Sequence, residues 1–334
     1  MARGIVAVTG ASGFVGTPLI QALRDAGWAV RALVRSTDKL DRLRATGCEA
    51  ALADVRDRPS LERALAGCAA AVHLVAILRE SGGATYDSVN RQGSANVAAA
   101  AKTVGVDRLV FLSALGAGPS STRYLRSKWA GEEEVRRSGI RHVIFRPSLI
   151  IGPNGGAARQ FAGVVRYGPW YPLQLMLGGD RLFAALGGLA PVIPVLGSGR
   201  THFMPVDRDD VFAAVLQSLE RGDVLGETFE IGGPDVVTYD QIMDAVAGTL
   251  RLRRWKIHLP AAPAGMLVHL LSLLPNPPIT RDEFQTLQID NMCDNTKVVR
   301  TFDLRLRPFA ESIRGALRNE RGSWWSKAGS RAPS

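Results

Sequence analysis

Tyr124 and Lys128, in the run Tyr124-Leu-Arg-Ser-Lys128, are the side chains of this sequence best suited to moving a proton. On a helix, positions four apart share one face, one turn from each other. A free phenol ionises near pH ~10, too high for a base at neutrality, and an ammonium one turn away lowers that value by favouring phenolate. Upstream, Ser113 closes the apolar run Val110-Phe-Leu-Ser113, where its hydroxyl can hold a substrate oxygen. A phenol that passes a proton suits a reaction in which a bound carrier passes a hydride. The five histidines and three cysteines have neither metal-ligand spacing nor a C-x-x-C pair, so no metal is expected and a reducing compartment is.

The carrier has a seat near the start of the chain. Ile5-Val-Ala-Val-Thr9 is a β-branched run that meets glycines at 10, 13 and 16, and an amphipathic pattern then begins at Phe14. Strand, side-chain-poor turn and helix in that order let backbone approach a pyrophosphate, with helix N–H groups pointing at it. Thr9, Gly10, Ser12, Gly13, Phe14, Val15 and Gly16 are the expected contacts. At the end of the second strand, Arg35 stands where an acidic residue usually receives the adenosine ribose of NAD. A guanidinium there offers donors to a 2′-phosphate, so NADP(H) is expected in preference to NAD(H), which the same fold also accepts. Asp54, after the third strand, is the expected adenine contact, and Val75 and Ala76, after the fourth, are expected to pass beneath the diphosphate. His73 reads as a packed core residue.

The elements that must position these groups are βα units. Strands are expected at 5–9, 29–34, 49–53, 70–75, 108–113 and 142–146, with helices at 14–26, 58–66, 90–104 and 121–138. That alternation is α/β: a Rossmann-type doubly wound parallel sheet with ligand at the carboxyl ends of its strands. After Arg146-Pro147 the rhythm changes. Residues 152–200 are dense in Gly and Pro, 205–220 and 238–250 read as helices, and 229–231 as a short strand. The expected organisation is a Rossmann core over 1–150, a smaller mixed α/β substrate lobe with C-terminal helices over 151–325, and a disordered tail over 326–334.

The G-x-x-G-x-x-G turn preceded by Thr9, the stretch Tyr124-Leu-Arg-Ser-Lys-Trp-Ala-Gly-Glu132, the run Ile144-Phe-Arg-Pro147-Ser148, and Asn90 opening the fourth helix resemble the atypical short-chain dehydrogenase/reductases. In the last third, Leu274-Pro-Asn-Pro-Pro278-Ile-Thr-Arg-Asp282, Asp290-Asn291 and Asp294-Asn295 resemble bacterial relatives of the NADPH-binding accessory subunit of mitochondrial respiratory complex I. The resemblance implies Ser113, Tyr124 and Lys128 as a catalytic triad, Asn90 as its support, Lys128 also on the nicotinamide ribose, and Pro147 and Ser148 beside the nicotinamide. It implies an NADP(H)-dependent oxidoreductase. A non-catalytic NADPH-binding scaffold or assembly protein is the alternative, and a sugar-nucleotide epimerase or dehydratase a further one. The apolar, aromatic run Tyr167–Leu177 favours a bulky carbonyl or quinone-like small-molecule substrate over a nucleotide sugar.

The 334 residues are 46% hydrophobic and 22% charged, the composition expected of a soluble globular protein, and no signal peptide is expected ahead of the first strand. The net charge of +10 comes from arginine, with only six lysines. No nucleic-acid motif accompanies it, so no nucleic-acid partner is expected. The basic cluster Arg251–Lys256 includes Trp255 and precedes a helical pattern over Ala264–Leu274. Eleven helical residues reach about 16 Å, too short to span a bilayer but long enough to lie on one. The expected location is cytoplasmic, with peripheral contact at the inner face of the membrane as the alternative. Oligomeric state is not legible.

Overall fold

The computed structural model describes residues 3–272, 277 and 279–318; the expected tail over 326–334, together with Leu274, lies outside them. The chain divides into two compact units.

The first unit comprises residues 1–147, 209–231 and 293–305. Its sheet has seven parallel strands in the order Thr228–Ile231, β6 (His142–Pro147), β5 (Arg108–Leu112), β4 (Ala70–His73), β1 (Ile5–Thr9), β2 (Ala29–Val34) and β3 (Glu49–Leu52). The helices α1 (Gly16–Asp25), α2 (Thr37–Arg44), α3 (Arg58–Leu65), α4 (Gln92–Thr103) and α5 (Arg123–Ser138) alternate with these strands. α2 was not anticipated, because Leu40 is its one buried residue and leaves almost no apolar period to read. Strand order reverses between β1 and β4, the switch point where doubly wound sheets bind ligand at strand carboxyl ends. The central strands are apolar on both faces, as expected where helices cover both sides of a parallel sheet.

The lobe expected over 151–325 is not one block. Residues 209–231 and 293–305 return to the first unit for a physical reason: Thr228–Ile231 pairs with β6 and removes it from the sheet edge. Phe145, Phe229 and Phe302 then form a buried aromatic cluster, with ring centroids 4.9 to 5.7 Å apart. Arg108 ties the same region down by donating to the carbonyls of Ser218, at the end of α9 (Arg208–Ser218), and Arg221, at 3.0 and 2.8 Å.

The second unit comprises 148–208, 232–292 and 306–334. The stretch read as Gly- and Pro-dense contains three helices, α6 (Gly156–Tyr167), α7 (Tyr171–Leu177) and α8 (Asp180–Leu189), and α10 (Tyr239–Leu250) and α11 (Ala261–Leu271) follow. Its core is built by Phe161, Val165, Ile193, Val195, Ile242 and Ile313, among others. The strands Val192–Leu196 and Trp255–Leu259 form a two-stranded parallel ribbon. Within the run expected to meet an apolar substrate, Tyr167 is buried, but α7 buries none of its residues. Leu173, Leu175, Met176 and Leu177 face outward there.

Removing the Phe302 ring tests whether the C-terminal segment belongs to the first unit's core. Phe302→Ala should cost about 3–5 kcal/mol in urea unfolding, and a loss under ~1 kcal/mol would show that the aromatic cluster does not bear on stability.

Candidate functional site

The turn after β1 is shaped by three glycines with separate tasks. Gly10 has φ 71°, in the left-handed region, and a Cβ there would lie 3.3 Å from Leu74 and Val75 backbone atoms. A Cβ on Gly16 would sit 2.2 Å from the Gly10 carbonyl oxygen, so only glycine lets α1 begin so close to β1. Gly13 closes the turn by donating its N–H to the Gly10 oxygen at 2.9 Å. Val15, which precedes α1, supplies no side-chain cap, and Ser12 and Gly13 are exposed while Phe14 and Val15 are partly so. The backbone cradle and helix N-terminus suit a diphosphate. The Leu74-Val75 backbone passes directly against Gly10, with Val75 half-buried and Ala76 exposed.

At the adenosine end, Arg35 is exposed just beyond β2. Asp54 carries a neighbour the sequence reading missed. Arg56 grips its carboxylate with two guanidinium bonds at 2.7 and 3.1 Å, and the Arg56 backbone N–H adds a third at 2.9 Å. These bonds, with the charge of Arg35 behind them, hold the Asp54 carboxyl below the usual carboxylate range. α3 is capped by Asp57, not by Asp54. This corner therefore presents two guanidiniums around one carboxylate. The signal was Arg56 two residues after Asp54.

Beneath the switch point runs a buried polar chain. Leu74 N–H donates to Thr9 Oγ1 at 3.3 Å, and Thr9 Oγ1 meets His73 Nδ1 at 2.7 Å. His73 Nε2 lies 3.2 Å from Ser94 Oγ, whose own hydroxyl donates to the Asn90 carbonyl at 2.6 Å. Because Ser94 has already used its proton, it must accept from His73 Nε2–H. Nδ1 is then the acceptor for Thr9, which fixes the tautomer of a neutral ring. Burial, reinforced by the charge of Lys128, pushes His73 down to about 3. The core role read for His73 stands, with a hydrogen-bonding task added to it.

Asn90, wholly buried, sits in a π-helical turn (Tyr86–Arg91) ahead of α4. Its amide pairs with both backbone groups of Ile77, at 2.9 and 3.2 Å, and donates to Ser127 Oγ at 2.9 Å. Gly131 is the reason α5 can approach so closely, since a Cβ there would lie 2.7 Å from the Asn90 carbonyl oxygen.

Tyr124 and Lys128 share one face of α5, as their spacing requires. Lys128 is buried, donates to the Leu112 carbonyl at 2.8 Å and lies 4.6 Å from the centroid of the Phe111 ring. Its electrostatics differ from the expectation. Burial pushes the Lys128 ammonium down to about 8, with Glu132 pulling partly the other way. The Tyr124 phenol is pushed up to about 12 by burial rather than lowered by Lys128, so it is a proton donor at neutral pH. For Lys128 desolvation outweighs the charge of Glu132, and for Tyr124 burial is the cause of the shift.

Ser113 goes elsewhere. Its hydroxyl donates to Glu132 Oε1 at 2.6 Å, and no described hydrogen bond joins it to Tyr124. Glu132 has no exposed surface and is held by Arg146 at 2.7 and 2.8 Å and by Arg136 at 2.9 Å. The expected role of holding a substrate oxygen therefore competes with a bond to a buried carboxylate. Glu132 lies four residues after Lys128 and eight after Tyr124, a helical stripe legible in the sequence that assigns it to the same face. Pro147 ends the first unit and Ser148 begins the second, where Ser148 is buried and donates to Asn291. Among the described residues no His, Cys, Asp and Glu cluster suits a metal.

His73 gives a pH signature. Its folded pKa is below the unfolded value of about 6.5, so as pH falls below ~6.5 the unfolded chain gains a proton that the folded chain refuses, and stability is lost. Between pH 6.5 and 5 the loss should be about 2 kcal/mol in urea unfolding. His73→Gln should flatten that slope, and an unchanged slope would place the titrating group elsewhere.

Residues 10–162 match a family model described as NAD(P)H-binding. The ceramide reductase of Caulobacter vibrioides is 32% identical over 286 residues, which cover 83% of this chain and 81% of that protein. Subunit 9 of the NADH dehydrogenase [ubiquinone] 1 alpha subcomplex, mitochondrial, from Arabidopsis thaliana is 30% identical over 320 residues, 90% of this chain and 74% of that one. Among solved structures, gox2253 superimposes with a TM-score of 0.71 at 21% identity, covering 99% of this chain and 100% of that one. The UDP-glucose 4-epimerase of Thermotoga maritima does so at 0.68 and 17%, covering 96% and 99%. These two likenesses establish the fold and nothing finer. Taken with the glycine cradle and the Tyr124–Lys128 face of α5, the sequence relatives show that the chain belongs to the NAD(P)H-binding atypical short-chain dehydrogenase/reductase family, related to the complex I subunit and to ceramide reductase.

Proposed function

We propose that this protein is an NADP(H)-dependent reductase or dehydrogenase acting on the carbonyl of a bulky apolar molecule, with a lipid ketone as the favoured substrate class. The observation that carries this reading is the pairing of a protonated Tyr124 with a buried Lys128 on one helix face. The relation to a ceramide reductase supports the substrate class. The turn through Gly10, Gly13 and Gly16 fits a dinucleotide, since a Cβ at Gly10 would press on the Leu74-Val75 backbone, and one at Gly16 would press on the turn's own backbone and keep the N-terminus of α1 from starting so close to β1.

The nicotinamide, when bound, supplies or accepts the hydride. In the reducing direction Tyr124 gives its phenolic proton to the substrate oxygen, and charged Lys128 stabilises the phenolate left behind. Lys128 would also hold the nicotinamide ribose of a bound cofactor. Asn90 positions α5 through Ser127, and Arg35 with Arg56 receives the adenosine phosphate end. As the family resemblance implies, Pro147 and Ser148 would lie beside a bound nicotinamide. The second reading is a scaffold that holds NADPH without turning it over. The commitment of Ser113 to Glu132 favours it, as does the relation to a complex I subunit.

Turnover separates the two. With a long-chain ketone panel and NADPH, Tyr124→Phe should abolish reduction while leaving NADPH affinity within about twofold of wild type. The wild-type kcat/KM should decline as pH rises through about 8, where Lys128 loses its charge. No turnover by wild type on any member of the panel, with NADPH still bound, would favour the scaffold. Normal turnover by the Phe variant would remove Tyr124 from the mechanism.

Cofactor choice is tested by fluorescence titration. Arg35→Ala should weaken NADPH binding about ten- to a hundredfold, the value of one charge-assisted bond, and leave NADH nearly unchanged. Equal wild-type affinities for the two cofactors would overturn the preference for NADP(H).

A further inference from the structure

The two-stranded ribbon of the second unit has one face that nothing in that unit's described core explains. Along Val192–Leu196, Ile193 and Val195 point into the core, while Val192, Pro194 and Leu196 remain partly exposed on the other side. The register sets Trp255 opposite Val192, Ile257 opposite Pro194 and Leu259 opposite Leu196. Side chains alternate along strands, so these six residues line the outer face together, and all six are apolar. Trp255 is 76% exposed and Ile257 50%. On the inner face Lys256 and His258 are paired with Asp244 and Asp240. An outward strand face is ordinarily the polar one, and parallel strands are ordinarily covered on both sides. This ribbon reverses both habits.

The apolar surface continues at the ribbon's beginning. Trp255 N–H donates to the Pro191 carbonyl at 2.8 Å, which brings the end of α8 alongside, where Leu189 is 83% exposed.

Charge identifies what covers this face. The ribbon strands lie in two stretches, 181–206 and 245–281, that contain no Asp or Glu. The second holds Arg251, Arg253, Arg254 and Lys256 immediately around Trp255. Arg254 is turned inward onto the Val165 and Arg166 carbonyls, whereas Arg251 and Arg253, four and two residues before Trp255, are exposed. A second copy docking by two-fold symmetry would press this cationic margin against itself. An apolar face with a tryptophan and an arginine margin instead matches an anionic bilayer surface, with the apolar side chains at the acyl boundary and guanidiniums among the head groups.

We infer that the outer face of the Val192–Leu196/Trp255–Leu259 ribbon is a peripheral membrane-contact surface selective for anionic lipid. No helix among the described residues is long and apolar enough to cross a membrane, so the contact lies in the interface. The test is co-sedimentation of the full chain with phosphatidylcholine vesicles, with and without phosphatidylglycerol, at low and high salt. Wild type should bind the anionic vesicles at low salt and release as salt rises. Trp255→Glu/Ile257→Glu should weaken that binding about tenfold or more with an unchanged circular dichroism spectrum. Arg251→Glu/Arg253→Glu should erase the preference for anionic lipid. Three results would overturn the inference: no wild-type binding at low salt, undiminished binding by the folded Trp255→Glu/Ile257→Glu variant, or a wild-type dimer that this variant dissociates, which would give the face to a second copy.

Discussion

The buried amide of Asn90 ties the segment after β4 and α5 to the π-helical turn that leads into α4. Its side chain closes on the Ile77 backbone, which follows β4, and donates to Ser127 on α5, while its carbonyl receives Ser94 from α4. A buried amide left without partners costs several kcal/mol on the order of a lost hydrogen bond or more. That penalty makes the arrangement nearly all-or-none. If α5 shifted outward, Ser127 would leave, and Tyr124 and Lys128 would move with it. The π-helical turn that carries Asn90 and the missing side chain of Gly131 are the local adjustments that let the helices meet at this point.

Two kinds of polarity meet around that amide. Below β1 and β4 the chain through Thr9, His73 and Ser94 is neutral, with every proton assigned by its neighbours. Below β5 and β6 Glu132, Arg136 and Arg146 form a salt-bridge cluster, in which the carboxylate is satisfied by two guanidiniums and the Ser113 hydroxyl. Lys128 lies between the two. Its charge helps to keep His73 unprotonated, and Glu132 helps to keep Lys128 charged. A buried ion cluster contributes little net stability against an apolar replacement, yet removing one partner leaves an uncompensated charge. Such a cluster fixes geometry more than it adds free energy, which is what a site that depends on the pose of α5 requires.

The second unit follows a different rule. Its core is apolar, but α7 buries nothing and the ribbon turns leucine, isoleucine and tryptophan outward. The hydrophobic residues that looked like a substrate wall in the linear chain are for the most part surface. Apolar composition alone does not distinguish a lining from a surface, because both want to leave water and only the neighbours decide where they go.

Several features were set by local spacing and were legible without coordinates. The glycines at 10, 13 and 16 follow from the tight passage from strand to helix, the βα rhythm from apolar periods of 2 and 3.6, and the common face of Tyr124 and Lys128 from the helical repeat. Each depends on residues within one or two turns of each other. The tertiary structure decided what depends on partners far away in the chain. Ser113, expected to hold a substrate oxygen, donates to Glu132, Asn90 became a hub, and residues 228–231 and 302 completed a sheet and core begun over two hundred residues earlier, at Ile5. It also reversed the expected electrostatics of the Tyr–Lys pair. Spacing places an ammonium one helical turn from a phenol, but desolvation is set by everything packed around them, and here burial pushes the phenol up and the ammonium down.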